Sequence, residues 1–259
     1  MAPQPEDPQA DAWLPQKKGA KEPQLHLLKL LPNLVSILAL CAGLTAIRFA
    51  ISGRISEAVF LIALAAALDG LDGRLARMLK SESDIGAELD SLCDFVNFGV
   101  VPGIVLYLWG LSSEIQIGWI AVLVYAVCCM LRLARFNVGN RLAAPAETSA
   151  FIGVPSPAGA MLALLPIYLS HVTDYRLPAL FVAAWMVAIG ALMISRLPTP
   201  SMKRATVAAS WARYVLVFGV VVIASLFTYP WVTLLVLSLC YLGAILSLAL
   251  AGLRRKRRN

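Results

Sequence analysis

Charged side chains are scarce in this chain, since Asp, Glu, Lys and Arg together make up 14% of its 259 residues. Histidine is rarer still, with two residues. The hydrophobic fraction is 59% and the mean hydropathy is +0.77, far above the balance of a soluble domain. This scarcity of charge argues against a soluble enzyme and indicates a polytopic membrane protein that is surrounded by membrane lipids.

Cysteine is also too sparse and too irregular to organise the fold. The number of cysteines is odd, all of them lie in apolar runs, and their spacing matches no zinc motif. They are Cys41, Cys93, Cys128, Cys129 and Cys240. The sequence therefore argues against a disulfide framework or a zinc centre, and we interpret the cysteines as packing residues.

The net charge of +7 raises the question of a nucleic-acid partner. The densest basic run is residues 254–258, directly after an apolar segment. Basic residues in that position anchor the cytoplasmic end of a membrane helix. We therefore expect no nucleic-acid partner.

Long apolar runs predict an all-α protein with about eight transmembrane helices, each near the length that a bilayer requires. The predicted spans are 31–51, 56–79, 91–109, 117–135, 155–171, 178–195, 211–228 and 231–251. An even number of spans puts both termini on one side. Most basic residues then lie on that side, which the positive-inside rule identifies as the cytoplasm.

The composition divides the chain into three parts. The leader is rich in Pro, Gln and charged residues, and we expect it to be disordered. The parts are a cytoplasmic leader over 1–25, a transmembrane catalytic domain over 26–253 and a basic cytoplasmic tail over 254–259.

Four aspartates lie at helical spacing near the predicted cytoplasmic ends of the second and third spans. Asp69 and Asp72 are three residues apart, and Asp90 and Asp94 are four residues apart, so each pair shares a helix face. Four carboxylates that converge in a region of low dielectric constant repel one another unless cations hold them. Their hard oxygen ligands indicate magnesium or manganese.

Small residues and one arginine accompany the aspartates. Gly73, Ala76 and Gly86 remove bulk from the same surfaces, which lets a ligand approach the backbone closely. Arg77 supplies a forked cation that suits phosphate.

The pattern D-x2-D-G-x2-A-R-x8-G-x3-D-x3-D over residues 69–94 resembles the signature of the CDP-alcohol phosphatidyltransferases. The resemblance implies the fold of that family, two Mg²⁺ or Mn²⁺ ions, and attack of an alcohol on a CDP-linked lipid with release of CMP. It also implies that the protein is a homodimer.

The same resemblance implies a role for each residue of the motif. The implied metal ligands are Asp69, Asp72 and Asp90, with Asp94 bordering the second ion and acting as general base. The implied CDP-binding residues are Asp72, Gly73, Ala76, Arg77 and Gly86.

Five further segments, LPN, ELDSLCD, FGVVP, RLARFN and GVPSP, resemble the bacterial integral-membrane members of the family that use serine. The donor implied is CDP-diacylglycerol, the acceptor is L-serine, and the location is the bacterial inner membrane with a cytoplasmic site. Asn97 departs from this resemblance, because many relatives have Ser there.

A serine acceptor requires a cation for its carboxylate. Arg132 or Arg135 is the candidate, with Asn97 and Asn137 as candidate hydrogen-bonding residues.

Other acceptors and another class of protein remain as alternatives. Glycerol 3-phosphate or inositol phosphate would need a denser cluster of cations near Asp94. Choline would need an aromatic cage, for which Phe95, Phe98 and Tyr125 are available. A cation transporter would also carry intramembrane carboxylates, but it predicts acids near mid-span and an inverted repeat.

Overall fold

The computed structural model describes residues 30–79, 83–142, 153–195 and 209–258. Every regular element in these ranges is helical, as the apolar runs predict. The predicted leader over 1–25 lies outside the described residues.

Ten α-helices follow one another in the described ranges. They are α1 (Leu31–Ile51), α2 (Ile55–Leu79), α3 (Asp84–Asp94), α4 (Val101–Leu106), α5 (Ile115–Leu142), α6 (Ser156–Ala163), α7 (Leu165–Thr173), α8 (Ala179–Ile194), α9 (Ala209–Thr228) and α10 (Pro230–Arg258). Two π-helical segments, Phe95–Val100 and Tyr107–Leu111, flank α4 and join it to α3 in one helical rod.

Helices lie at each of the eight predicted span positions. Four stretches are long and apolar enough to cross a membrane, namely Leu31–Ile51, Ile85–Leu111, Ile115–Gly139 and Pro230–Leu250. Shorter apolar helices cover Ala179–Ile194 and Leu216–Thr228. The prediction of an all-α, multi-pass membrane protein is therefore confirmed.

The third predicted span begins earlier in the structure than its hydropathy indicates. Ser83 has extended backbone angles, and its side chain accepts a hydrogen bond from the Gly86 amide at 3.0 Å. This N-cap satisfies one of the amides that a helix start leaves free. Asp84 and Gly86 are therefore helical, although the predicted third span begins only at residue 91.

The fifth predicted span, 155–171, is divided into two helices. α6 ends at Ala163, and α7 begins at Leu165 with Pro166 in its first turn. A proline has no amide hydrogen to continue the hydrogen bonds of the preceding helix, but its ring fits a first turn.

Pro102 changes the helical geometry around α4. The preceding segment is π-helical, and the Val101 amide bonds to the Val96 carbonyl, five residues earlier. Pro102 cannot donate to the Phe98 carbonyl, because it has no amide hydrogen. The Tyr125 hydroxyl on α5 donates to that carbonyl instead, at 2.8 Å. Tyr125 and Phe98 are both fully buried, so one side chain satisfies a backbone group that would otherwise be costly to bury.

The core lies between closely packed helices that carry small residues at their contacts. α1 packs along α2, and α5 packs along α8. Ala46 on α1 and Ala58 on α2 are fully buried. Small residues allow helix backbones to approach one another in a membrane. The bundle thereby holds the end of α2 and the start of α3 against α1.

We expect Tyr125→Phe to lower the free energy of unfolding by about 1 kcal/mol, because the Phe98 carbonyl loses its donor in a buried position. Thermal unfolding of the purified protein in detergent measures this change. Tyr175→Phe is the matched control, since Tyr175 is 60% exposed. Equal melting temperatures for the two variants would contradict the assigned role of the Tyr125 hydroxyl.

Candidate functional site

The four aspartates of the motif converge at one place in the bundle. Single carboxylate oxygens of Asp69, Asp72 and Asp90 all lie within 4.8 Å of one another. Asp94, one helical turn beyond Asp90, interacts electrostatically with both Asp69 and Asp90. The helical spacing of the two pairs and the packing of α2 near α3 together produce this cluster.

The surroundings of the cluster favour a bound cation. Asp72 is 4% exposed, and the other three aspartates are half-buried. Charges of one sign at these distances repel strongly in a partly buried environment. An all-carboxylate oxygen set fits the preference of Mg²⁺ and Mn²⁺. The residues present therefore fit a divalent metal centre.

A cleft of about 480 Å³ opens beside this cluster. Three helices contribute to its walls, and Asp72 and Asp90 of the aspartate cluster form its acidic side. The lining residues are Pro32, Asn33 and Ser36 from α1, Asp72, Gly73 and Ala76 from α2, and Ser83, Gly86, Ala87 and Asp90 from the start of α3. Most of the predicted CDP-binding residues thus line one cavity.

Arg77 is the predicted CDP-binding residue that does not line the cleft. It is exposed, and its Nε donates to the Gly73 carbonyl at 2.9 Å. This bond keeps the guanidinium along the α2 surface, one turn beyond a residue of the cleft.

Gly86 allows α1 and α3 to approach each other. A Cβ atom at Gly86 would lie 2.9 Å from Asn33 Oδ1 and 3.0 Å from Ser83 Oγ. Gly73 differs, because a Cβ atom there would meet nothing within 4 Å. A methyl group at Gly86 would therefore displace the ends of the Asn33 and Ser83 side chains, whereas Gly73 leaves open space beside Asp72.

The contribution of α1 was missing from the predicted site. Asn33 and Ser36 line the cleft, and Ser36 Oγ donates to Asp72 Oδ2 at 2.7 Å. The sequence carries a faint signal for these residues, since they are polar, three positions apart and placed at the start of a long apolar run.

The structure distinguishes the two arginines proposed for the acceptor. Arg132 is held by Ser156, whose Oγ accepts from its Nη1 at 2.8 Å, and it interacts electrostatically with Asp94. Arg135 is exposed, and its Nη1 donates to the Ile194 carbonyl at 2.7 Å. Arg132 therefore lies toward the aspartate cluster, whereas Arg135 ties α5 to the end of α8.

The two candidate asparagines have different surroundings. Asn137 and Ser91 are hydrogen-bonded to each other, with the Asn137 amide donating to Ser91 Oγ at 2.9 Å. Asn97 is 1% exposed and packs against Gly43, where a Cβ atom would overlap its Oδ1. Among the described residues Asn97 Oδ1 has no hydrogen-bond partner. Neither asparagine lines the cleft.

A family model described as CDP-alcohol phosphatidyltransferase matches residues 29–195. Three curated relatives share the name CDP-diacylglycerol–serine O-phosphatidyltransferase. The Mycobacterium leprae relative is 42% identical over 222 residues, covering 83% of this chain and 73% of its own. The Helicobacter pylori relative is 33% identical over 183 residues, covering 70% and 76%. The Bacillus subtilis relative is 33% identical over 175 residues, covering 67% and 92%.

We expect Gly86→Ala to weaken the binding of CDP about tenfold, because the new methyl group displaces Asn33 from the wall of the cleft. Isothermal titration calorimetry with CDP and Mg²⁺ measures the affinity. Gly70→Ala is the control, since its Cβ atom would meet nothing within 4 Å. Equal CDP affinities for the two variants would show that the approach of Asn33 to Gly86 does not shape the ligand site.

Proposed function

Because the chain belongs to the CDP-alcohol phosphatidyltransferase family, we propose that it transfers the phosphatidyl group of CDP-diacylglycerol to L-serine. The products are phosphatidylserine and CMP. The observation that carries the proposal is the convergence of four aspartates beside a cleft with small-residue walls. The names of the relatives support serine as the acceptor.

The cleft is the proposed site of the cytidine diphosphate group. Gly73, Ala76 and Gly86 leave room along its walls, and the exposed guanidinium of Arg77 is suited to phosphate at its edge. The pyrophosphate would lie against Asp72 and Asp90, the acidic side of the cleft. The acyl chains remain in the bilayer, so the donor never leaves the membrane.

Asp69, Asp72 and Asp90 are the proposed ligands of the divalent ions, with Asp94 bordering the second ion. When bound, Mg²⁺ or Mn²⁺ neutralises the negative charge of the pyrophosphate and fixes the donor for displacement. The aspartates supply the carboxylate oxygens that would bind these ions. Because the carboxylates repel one another without a cation, binding of a divalent ion is favoured.

Asp94 is the proposed general base. In the reaction, the serine hydroxyl oxygen forms a bond to the phosphorus of the phosphatidyl group, while the bond from that phosphorus to the CMP oxygen breaks. The hydroxyl proton passes to an Asp94 carboxylate oxygen. Asp94 is suitable because it lies one helical turn from Asp90, beside the proposed metal ligands, and interacts electrostatically with Arg132.

Arg132 is the proposed partner of the serine carboxylate. In the described part of the chain its hydrogen bond goes to the neutral Ser156 hydroxyl, and its positive charge faces Asp94 without a salt bridge. The carboxylate of a serine bound between Arg132 and Asp94 would accept a charge-assisted hydrogen bond from Arg132. The hydroxyl group of that serine would then lie near Asp94. We assign no serine contact to Arg135, Asn97 or Asn137.

The alternative acceptors fit the geometry less well. In the described ranges, Arg132 is the cation that interacts with Asp94. A phosphorylated acceptor would need more than one cation at this place. Phe98 and Tyr125 are fully buried in the core and do not form an open cage for choline. A transporter would not account for the small-residue cleft beside the aspartates.

The proposed location is the bacterial inner membrane, with both termini and the site on the cytoplasmic side. The excess of basic residues in the predicted cytoplasmic segments supports this orientation. The proposed assembly is a homodimer, which the family resemblance alone supports.

We expect Arg132→Gln to raise the KM for serine about 10- to 100-fold, because the carboxylate loses a charge-assisted hydrogen bond worth about 1.5–3 kcal/mol. Arg135→Gln is the matched control and should change the KM for serine little. The measurement is CMP release from CDP-diacylglycerol by the purified protein with Mn²⁺ and increasing serine. Equal KM values in the two variants would remove Arg132 from the acceptor site.

We expect Asp94→Asn to reduce kcat about 10²- to 10⁴-fold, because an amide cannot accept the hydroxyl proton. The assay runs serine, choline, glycerol 3-phosphate and inositol phosphate in parallel with CDP-diacylglycerol. Phosphatidylserine and CMP should form with serine alone and be lost in the variant. Product with another alcohol alone would overturn serine as the acceptor, and full activity of the variant would overturn Asp94 as the base.

A further inference from the structure

Ser36 is the one α1 residue with a direct hydrogen bond to the aspartate cluster in the described ranges. Its Oγ lies 2.7 Å from Asp72 Oδ2 and 3.2 Å from the Pro32 carbonyl oxygen. A hydroxyl group has one proton to donate. The shorter distance and the negative charge of the carboxylate direct that proton to Asp72.

The hydrogen bond from Ser36 stabilises a carboxylate that is almost completely buried. Ser36 is 5% exposed and Asp72 is 4% exposed, so water has little access to either side chain. The Gly73 amide contacts the other oxygen, Asp72 Oδ1. With a donor at each oxygen, the carboxylate plane of Asp72 is held in one orientation relative to Asp69 and Asp90.

We propose that Ser36 is a positioning residue that orients Asp72 for divalent metal binding and links α1 to the metal centre. The inference rests on the proposed function, because it concerns the proposed metal ligands. Partners that hydrogen-bond to a metal ligand fix its orientation, and their loss commonly weakens metal affinity 10- to 100-fold.

The position of Ser36 also joins two parts of the site. Ser36 lines the cleft together with Asn33, one helical turn away on α1. A shift of α1 therefore moves a wall of the cleft and the donor to Asp72 together.

The test is direct titration of Mn²⁺ into the purified protein in detergent, without substrates, followed by electron paramagnetic resonance of the free ion. We expect Ser36→Ala to weaken Mn²⁺ binding about 10- to 100-fold and Ser36→Thr, which keeps the hydroxyl, to retain affinity near that of the unaltered protein. Thr45→Val is the matched control. Thr45 donates to the carbonyl one turn earlier on α1, as Ser36 can, and within the described residues it has no hydrogen bond to an aspartate.

An unchanged Mn²⁺ affinity in Ser36→Ala would overturn this inference alone, provided that the unaltered protein binds Mn²⁺. Absence of Mn²⁺ binding by the unaltered protein would overturn both the metal site of the proposed function and this inference. If Ser36→Ala does not fold, Ser36→Cys fills the position with a slightly larger thiol that is a weaker donor. Its Mn²⁺ affinity should then fall below that of the unaltered protein, and an equal affinity would overturn the inference.

Discussion

Mutual repulsion among four aspartates is the interaction on which the rest of this structure depends. Carboxylate oxygens of Asp69, Asp72 and Asp90 lie within 4.8 Å of one another in a helical bundle whose described interior is mostly apolar, and Asp94 interacts electrostatically with Asp69 and Asp90. Such a cluster is unfavourable unless cations and hydrogen-bond donors compensate its charge. The surrounding helices supply the donors, and the open cleft beside the cluster admits a charged ligand together with its ions.

Several local devices hold the aspartates in place. The Ser83 cap starts α3 early enough to bring Gly86 against Asn33. Ser36 binds Asp72 from α1. Ser156 holds Arg132 in a position from which it interacts with Asp94. Arg132 is not among the residues that line the cleft, so the aspartate cluster has two separate polar neighbours.

The helical rod that carries Asp90 and Asp94 is not a regular α-helix throughout. Its π-helical segment follows Asp94 directly, and the Phe98 carbonyl that Pro102 leaves unpaired is bonded by Tyr125. This arrangement keeps the rod continuous across a proline without an unsatisfied carbonyl in the core. It also buries Phe98 and Tyr125, so that these aromatic rings serve packing rather than ligand binding.

Prediction from sequence succeeded for features that depend only on the repeat of a single helix. The spacing of Asp69, Asp72, Asp90 and Asp94 predicted two faces that share one site, and the apolar runs predicted an all-helical membrane protein. Both predictions are local, because they follow from the rise and turn of a helix. The early start of α3 and the division at Pro166 were missed, because capping and proline geometry set helix ends more finely than hydropathy does.

The sequence by itself determined the helix positions, the acidic motif and the family to which the chain belongs. Only the tertiary structure decided which partners meet. Arg132 and Arg135 are equivalent in the sequence as cations one turn apart, yet one faces Asp94 and the other bonds the end of α8. Ser36 lies in an apolar run and belongs to no motif in the sequence, yet it donates a hydrogen bond to Asp72, 36 positions away. Contacts between helices depend on how their faces pack, and spacing within one helix carries no information about the helix that lies opposite.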